Sequence, residues 1–163
     1  MSLKRGVGML NIGICDDFPV YRGVIEEYVR QYGENNHCTF NIWQFGSGED
    51  LLVFLHTNDV SFDLLFLDYR MRILNGLETA RRIREMELAG FKTACSIVFV
   101  TSMDNAYELL PVNPLRIISK PASQAIINEI LAFVLTEKHR AASDQDHGGS
   151  IVKKHGAGYG RTV

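Results

Sequence analysis

The sequence has little cysteine, no long apolar run and no excess of charge of either sign, and each shortage removes a class of protein. Cys15, Cys38 and Cys95 are odd in number and far apart, so they read neither as a disulfide framework nor as a zinc motif. A reducing compartment, the cytoplasm, is the expectation. His37, His56, His139, His147 and His155 show no metal-ligand spacing with one another or with a cysteine, which argues against zinc from that side too. No segment approaches the roughly 20 apolar residues that cross a bilayer. Lys4 and Arg5 ahead of an apolar stretch superficially imitate a secretory signal. Asn11 and Gly13 interrupt that stretch, Ile14 stands where cleavage needs a small residue, and Asp16-Asp17 follow at once. With 17 basic against 19 acidic residues, a formal net charge of -2, nothing electrostatic favours nucleic acid or an anionic membrane as partner.

What is present is enough for one folded domain: 163 residues, 46% of them hydrophobic. Residues 1–8 read as a leader and 9–140 as the domain. Residues 141–163, polar and glycine-rich without an apolar period, read as a disordered tail too short for a DNA-binding output domain. Within the domain, short apolar runs alternate with stretches of helical spacing. Strands are predicted over Met9–Cys15, Cys38–Phe45 (Phe40, Ile42 and Gln44 on one face), Phe62–Asp68, Ser96–Val100 and Leu115–Ser119. Helices are predicted over Phe18–Tyr32, Glu49–His56, Gly76–Leu88, Asp104–Leu110 and after Pro121. Gly33 is the expected stop of the first, whose apolar stripe is Val20, Val24, Ile25, Tyr28 and Val29. In the last helix, Ile126/Ile130/Val134 and Ile127/Leu131/Leu135 form two adjacent rows, one wide buried face. Arg81, Arg82 and Arg84 are expected on solvated faces around the inward Ile83. Five strands alternating with five helices imply crossovers over a parallel sheet, a doubly wound α/β fold with its chemistry at the carboxyl ends of the strands.

Those ends are polar. The first strand ends in Asp16-Asp17, the third in Asp68, the fourth in Thr101-Ser102 and the fifth in Lys120-Pro121. Two like charges about 4 Å apart repel by about 4 kcal/mol at an effective dielectric of 20, so three carboxylates need cations beside them. Lys120 supplies one. A divalent metal would supply two more charges, and an all-oxygen donor set favours Mg²⁺ over zinc or copper. An aspartate can attack phosphorus to form an acyl phosphate, while a metal, a lysine and a hydroxyl stabilise the oxygens of the transferring group. Capping of the first helix by Asp16-Asp17 is the bland alternative for that pair taken alone.

The acidic pair, Leu67-Asp68-Tyr69-Arg70-Met71 followed by Gly76, Thr101 and Lys120-Pro121, in this order and spacing, resemble the receiver domain of bacterial two-component response regulators. Asn75–Arg84 and Val112–Arg116 further resemble the receivers of LytTR-type transcriptional regulators. The resemblance implies a flavodoxin-like sheet of order 2-1-3-4-5 and a signalling switch rather than a turnover enzyme. It implies that Asp68 accepts a phosphoryl group from a sensor histidine kinase. Mg²⁺ would be held by Asp17, Asp68 and the backbone carbonyl of Arg70, with Asp16 acting mainly through water. Thr101 would bind the phosphoryl oxygen, Lys120 would pair with the acidic site, and Lys120-Pro121 would be cis. A homodimer through the face of strands four and five and helix five is the implied assembly, and transcription, through an output domain, the implied process.

Departures from the family pattern give the rival readings their footing. Arg72 stands where receivers usually have proline, and Ile117 where they place a switching Tyr or Phe, which suggests a pseudo-receiver acting as an interaction module. Arg70 and Met103 occupy positions that often tune phosphoryl lifetime. A phosphatase of the haloacid dehalogenase type needs an acid where Arg70 stands. A flavodoxin would need a phosphate-cradling loop where Asp16-Asp17 stand.

Overall fold

The computed structural model describes residues 9–102, 104 and 106–147. Five strands, β1 (Leu10–Cys15), β2 (Phe40–Phe45), β3 (Leu64–Leu67), β4 (Ser96–Thr101) and β5 (Arg116–Ser119), form one parallel sheet in the order β2-β1-β3-β4-β5. Between them run α1 (Pro19–Asn36), α2 (Gly48–Thr57), α3 (Gly76–Leu88) and a 3-10 helix (Ala106–Val112). The chain continues into α4 (Gln124–His147). The predicted doubly wound fold is therefore observed, with the fourth of its five helices wound as a 3-10 segment that contains Pro111. Proline lacks the amide a continuous α-helix would require there.

The pleat explains the two-layered core. In β3, Leu64 and Phe66 pack with Ile12, Ile14, Val98 and Val100 against α1 and α4. Leu65 and Leu67 pack with Ile97 and Phe99 against Leu51, Leu55, Ala80 and Ile83 of α2 and α3. All four β3 residues are buried, as a central strand covered on both faces requires. Complete burial stabilises each such side chain by about 1.5–3 kcal/mol. Both rows of α4 face the core as read.

Several local expectations are corrected. Val20 is exposed, because the first turn of α1 rises above the sheet's carboxyl edge before the helix settles on it at Ile25 and Val29. Gly33 does not stop α1. The helix runs on to Asn36, His37 takes the left-handed conformation at its end, and Cys38 N–H bonds the Gly33 carbonyl. A Cβ at Gly33 would lie 2.7 Å from the Cys38 carbonyl oxygen, so the glycine serves the chain's close return. Gln44 does share the α1 face with Phe40 and Ile42, as expected, but at the exposed end of the edge strand β2, where it bonds Arg22 and Glu26 instead of entering the core. Helix α4 continues past Arg140 to His147, so the stretch assigned to a tail begins as helix, and residues 148–163 lie outside the described ones.

Arg84 is a further correction. It is not a solvated surface arginine: its guanidinium donates to the carbonyls of Cys95, Val112 and Asn113 and to Glu87, whose carboxylate also accepts the Cys95 amide. These bonds tie α3 to the start of β4 and to the turn before β5. Ser47 and Asn75 cap α2 and α3 by accepting the amides of Asp50 and Glu78.

Candidate functional site

Parallel register carries the polar residues to one edge. Cys15 lies opposite both Phe45 and Leu67, so Asp16 and Asp68 leave neighbouring strands at the same level. Their backbones are fixed there: Asp16 N–H bonds the Phe45 carbonyl at 3.1 Å and Asp68 N–H the Cys15 carbonyl at 2.9 Å. Thr101 closes β4 opposite Ser119, and Lys120 N–H bonds the Thr101 carbonyl at 3.1 Å. The Lys120-Pro121 bond is cis, as the sequence resemblance implied.

Asp16, Asp17 and Asp68 each bring a carboxylate oxygen within 4.8 Å of the others. Asp16, Asp68 and Thr101 are buried, while Asp17 is half-buried. The Lys120 ammonium lies 2.6 Å from Asp16 Oδ2 and 3.4 Å from Asp68 Oδ1, which offsets one of the three negative charges. Asp16 Oδ1 also accepts the Phe18 amide at 2.9 Å, so the capping role weighed for this pair is real for Asp16 and coexists with its ion pair. Asp17 Oδ1 is buried and has no hydrogen-bond partner among the described residues. A buried carboxylate oxygen without a donor, among two further carboxylates, is a hard-cation donor set.

Burial, then the charge of Asp16, pushes the Asp68 carboxyl up to about 6, against the attraction of Lys120 and a hydrogen bond from the Arg70 amide. A cation bound at this carboxylate would therefore have to displace its proton. Cys15, behind the site, is buried, and its thiol is held well above the ordinary range by burial and then by Asp16 and Asp68.

The loop after Asp68 turns tightly back on itself. Gly76 N–H bonds the Tyr69 carbonyl at 2.8 Å, and a Cβ at Gly76 would fall onto the Asp68 carbonyl oxygen and 3.0 Å from Tyr69 Cα. Only glycine permits that approach. The side chains of Arg70 and Arg72 are exposed, Ile117 is half-buried against the α2/α3 core, and Met103 lies outside the described residues. Tyr69 reaches over the 3-10 helix, its hydroxyl 3.3 Å from Glu108.

Two residues at the site were not singled out in the sequence. The Tyr21 ring carries the Lys120 ammonium 4.1 Å from its centroid, and Arg22 donates to the Asp16 carbonyl at 2.6 Å. Both lie one helical turn beyond the acidic pair, where the first turn of α1 faces the sheet edge. That spacing is the only signal the sequence offered.

The family model described as the response regulator receiver domain matches residues 12–132. The two-component response regulator ARR22 of Arabidopsis thaliana is 29% identical over 107 residues, 66% of this chain and 68% of that protein. The autoinducer 1 sensor kinase/phosphatase LuxN of Vibrio campbellii (strain ATCC BAA-1116) is 32% identical over 73 residues, 45% of this chain but 8% of LuxN. Among solved structures, the response regulatory domain of mrkE from Klebsiella pneumoniae superposes with a TM-score of 0.66 at 24% identity, covering 80% of this chain and 99% of that one. Vibrio cholerae CheY4 gives 0.64 at 16% identity, covering 78% and 99%. At these identities the structures show the fold.

Proposed function

This chain belongs to the response regulator receiver domain family of two-component signalling, and from that premise we propose that it is a phosphorylatable switch with Asp68 as acceptor. The observation that carries the proposal is the convergence of Asp16, Asp17 and Asp68 with Lys120 at one buried sheet edge. An Asp68 carboxylate oxygen attacks the phosphorus of a phosphohistidine on a sensor histidine kinase. The P–O bond forms, the P–N bond breaks, and the imidazole leaves with its electron pair.

Asp17 and Asp68, with the Arg70 carbonyl, would hold Mg²⁺ in this reading, and Asp16 would act mainly through water. The buried Asp17 Oδ1, which no donor among the described residues meets, fits such an ion. The metal would supply positive charge to the oxygens of the transferring phosphoryl group. Lys120 supplies a second positive charge from the opposite carboxylate, and the Thr101 hydroxyl a hydrogen bond from the end of β4. The backbone bonds of Asp16, Asp68 and Lys120 keep the site preorganised, and the depth of Asp68 limits water's access to the acyl phosphate.

The switch requires the phosphoryl group to bind one arrangement of the β4–β5 edge better than another, through Thr101 and Lys120. The β4–β5–α4 face is the proposed output surface and a second copy of the chain its proposed occupant. Transcription, the process controlled by the LytTR-type regulators that Asn75–Arg84 resembles, is the proposed output. The chain acts as a switch that catalyses its own phosphorylation, in the cytoplasm. Among the described residues, no helix is long and apolar enough to cross a membrane.

The test is incubation with acetyl phosphate and Mg²⁺, followed on a phosphate-affinity gel. The wild-type chain is expected to shift, and Asp68→Asn not to shift. A wild-type chain that neither shifts nor binds Mg²⁺ at millimolar concentration would be an interaction module instead, the reading that Arg72 and Ile117 support.

A further inference from the structure

Lysine is a compact charge on a flexible stem, and the stem of Lys120 leads to an ammonium that three groups hold. Two are the carboxylates of Asp16 and Asp68, at 2.6 and 3.4 Å. The third is the Tyr21 ring, whose centroid lies 4.1 Å away. Tyr21 stands on the first turn of α1, and Phe18 packs edge-on against it with centroids 6.2 Å apart. Tyr21 is partly exposed, yet Lys120 retains only 9% side-chain exposure. The ring is thus one of the groups that keep the ammonium from solvent.

An aromatic face attracts an ammonium without fixing the direction of any N–H bond. A carboxylate in that place would hold the lysine in competition with an incoming phosphoryl group. A ring instead lets the ammonium pivot from Asp16 toward a new anion at Asp68 while keeping it out of bulk water.

We propose that Tyr21 is a positioning residue for phosphoryl transfer: its ring holds the Lys120 ammonium at the acidic site and guides it onto the phosphoryl oxygens. This rests on the reading of Asp68 as acceptor. The role requires the ring and not the hydroxyl, so phenylalanine satisfies it and leucine does not.

The test compares the full wild-type chain with Tyr21→Phe and Tyr21→Leu. In NMR spectra, the Lys120 Hε protons are expected upfield in the wild type and in Tyr21→Phe, through the ring current, and at ordinary positions in Tyr21→Leu. In acetyl phosphate reactions with Mg²⁺, Tyr21→Leu is expected to lower the maximal phosphorylation rate roughly threefold to thirtyfold, the range a desolvated cation–π contact supports. The half-saturating acetyl phosphate concentration should barely move, and Tyr21→Phe should stay within about twofold of wild type. A merely structural role would not yield this split between maximal rate and half-saturating concentration; the ring-current shift establishes that ring and lysine meet. An unchanged rate in Tyr21→Leu overturns the proposal, as does an equal loss in Tyr21→Phe or the absence of a ring shift in the wild type. If the wild-type chain takes up no phosphoryl group, the acceptor reading fails instead, and the NMR comparison alone decides whether ring and lysine meet.

Discussion

Removing the Asp68 carboxylate should stabilise this protein, by an amount that depends on pH. The folded chain holds the Asp68 proton up to about 6, whereas an unfolded aspartate releases it near 3.8. Between those values the native state binds more protons than the unfolded state, so stability falls as pH rises through the window. The penalty is absent below about 4 and complete above about 6. At 1.36 kcal/mol per pH unit, the gap from 3.8 to about 6 corresponds to a penalty of about 3 kcal/mol. Burial followed by repulsion from Asp16 is its cause, and the pull of Lys120 is already counted in it. Asp68→Asn keeps the shape and removes the charge, so at pH 7.5 without Mg²⁺ it should unfold about 2–3 kcal/mol harder than wild type. Near pH 3.5 the two chains should converge. Urea unfolding followed by the fluorescence of Trp43, the single tryptophan, which packs on Phe54 and Phe62, measures both. Mg²⁺ should close the gap at pH 7.5 by stabilising the wild type selectively. An Asp68→Asn chain no more stable than wild type at pH 7.5, or equally more stable at both pH values, would mean that the buried charge of Asp68 carries no such penalty.

Three further outcomes follow from the packing. Gly76→Ala drives a Cβ into the Asp68 carbonyl, a backbone contact that cannot yield, and should cost about 2–3 kcal/mol in the same urea assay while slowing phosphorylation. Arg84→Met removes the donors shared by the Cys95, Val112 and Asn113 carbonyls and should cost about 2 kcal/mol; hydrogen exchange should report loosening of the 3-10 helix and the turn before β5. Cys38 is half-buried, whereas Cys15 and Cys95 are buried with their thiols held well above the ordinary range, chiefly by that burial. Iodoacetamide on the native chain should therefore alkylate Cys38 first, with all three reacting in urea, as peptide mass spectrometry would show.

The strand ends were legible because an apolar run that stops at a charge marks where a buried strand reaches the sheet edge. Asp16, Asp68, Thr101 and Lys120 each follow or end such a run, and the parallel register made them converge. The stripe of α4 was equally plain, because its isoleucines and leucines repeat over several turns. What escaped was tertiary. Arg84 looks like its neighbours Arg81 and Arg82, and only the return of the chain at Val112–Asn113 brings it carbonyl partners. Tyr21 looks like an exposed helix residue until Lys120, far along the chain, arrives beneath its ring. Val20 fits the helical period but precedes the point where α1 reaches the sheet. Local periodicity describes the face of a helix and not where that helix begins to be covered.

If Asp68 is the phosphoacceptor, it carries the acyl phosphate. Borohydride reduction after acetyl phosphate treatment converts a phosphorylated aspartate to homoserine, which peptide mass spectrometry can locate. Conversion is expected at position 68 alone, and only when Mg²⁺ is present. Conversion at Asp16 or Asp17, or none in a wild-type chain that binds Mg²⁺, would contradict that role of Asp68.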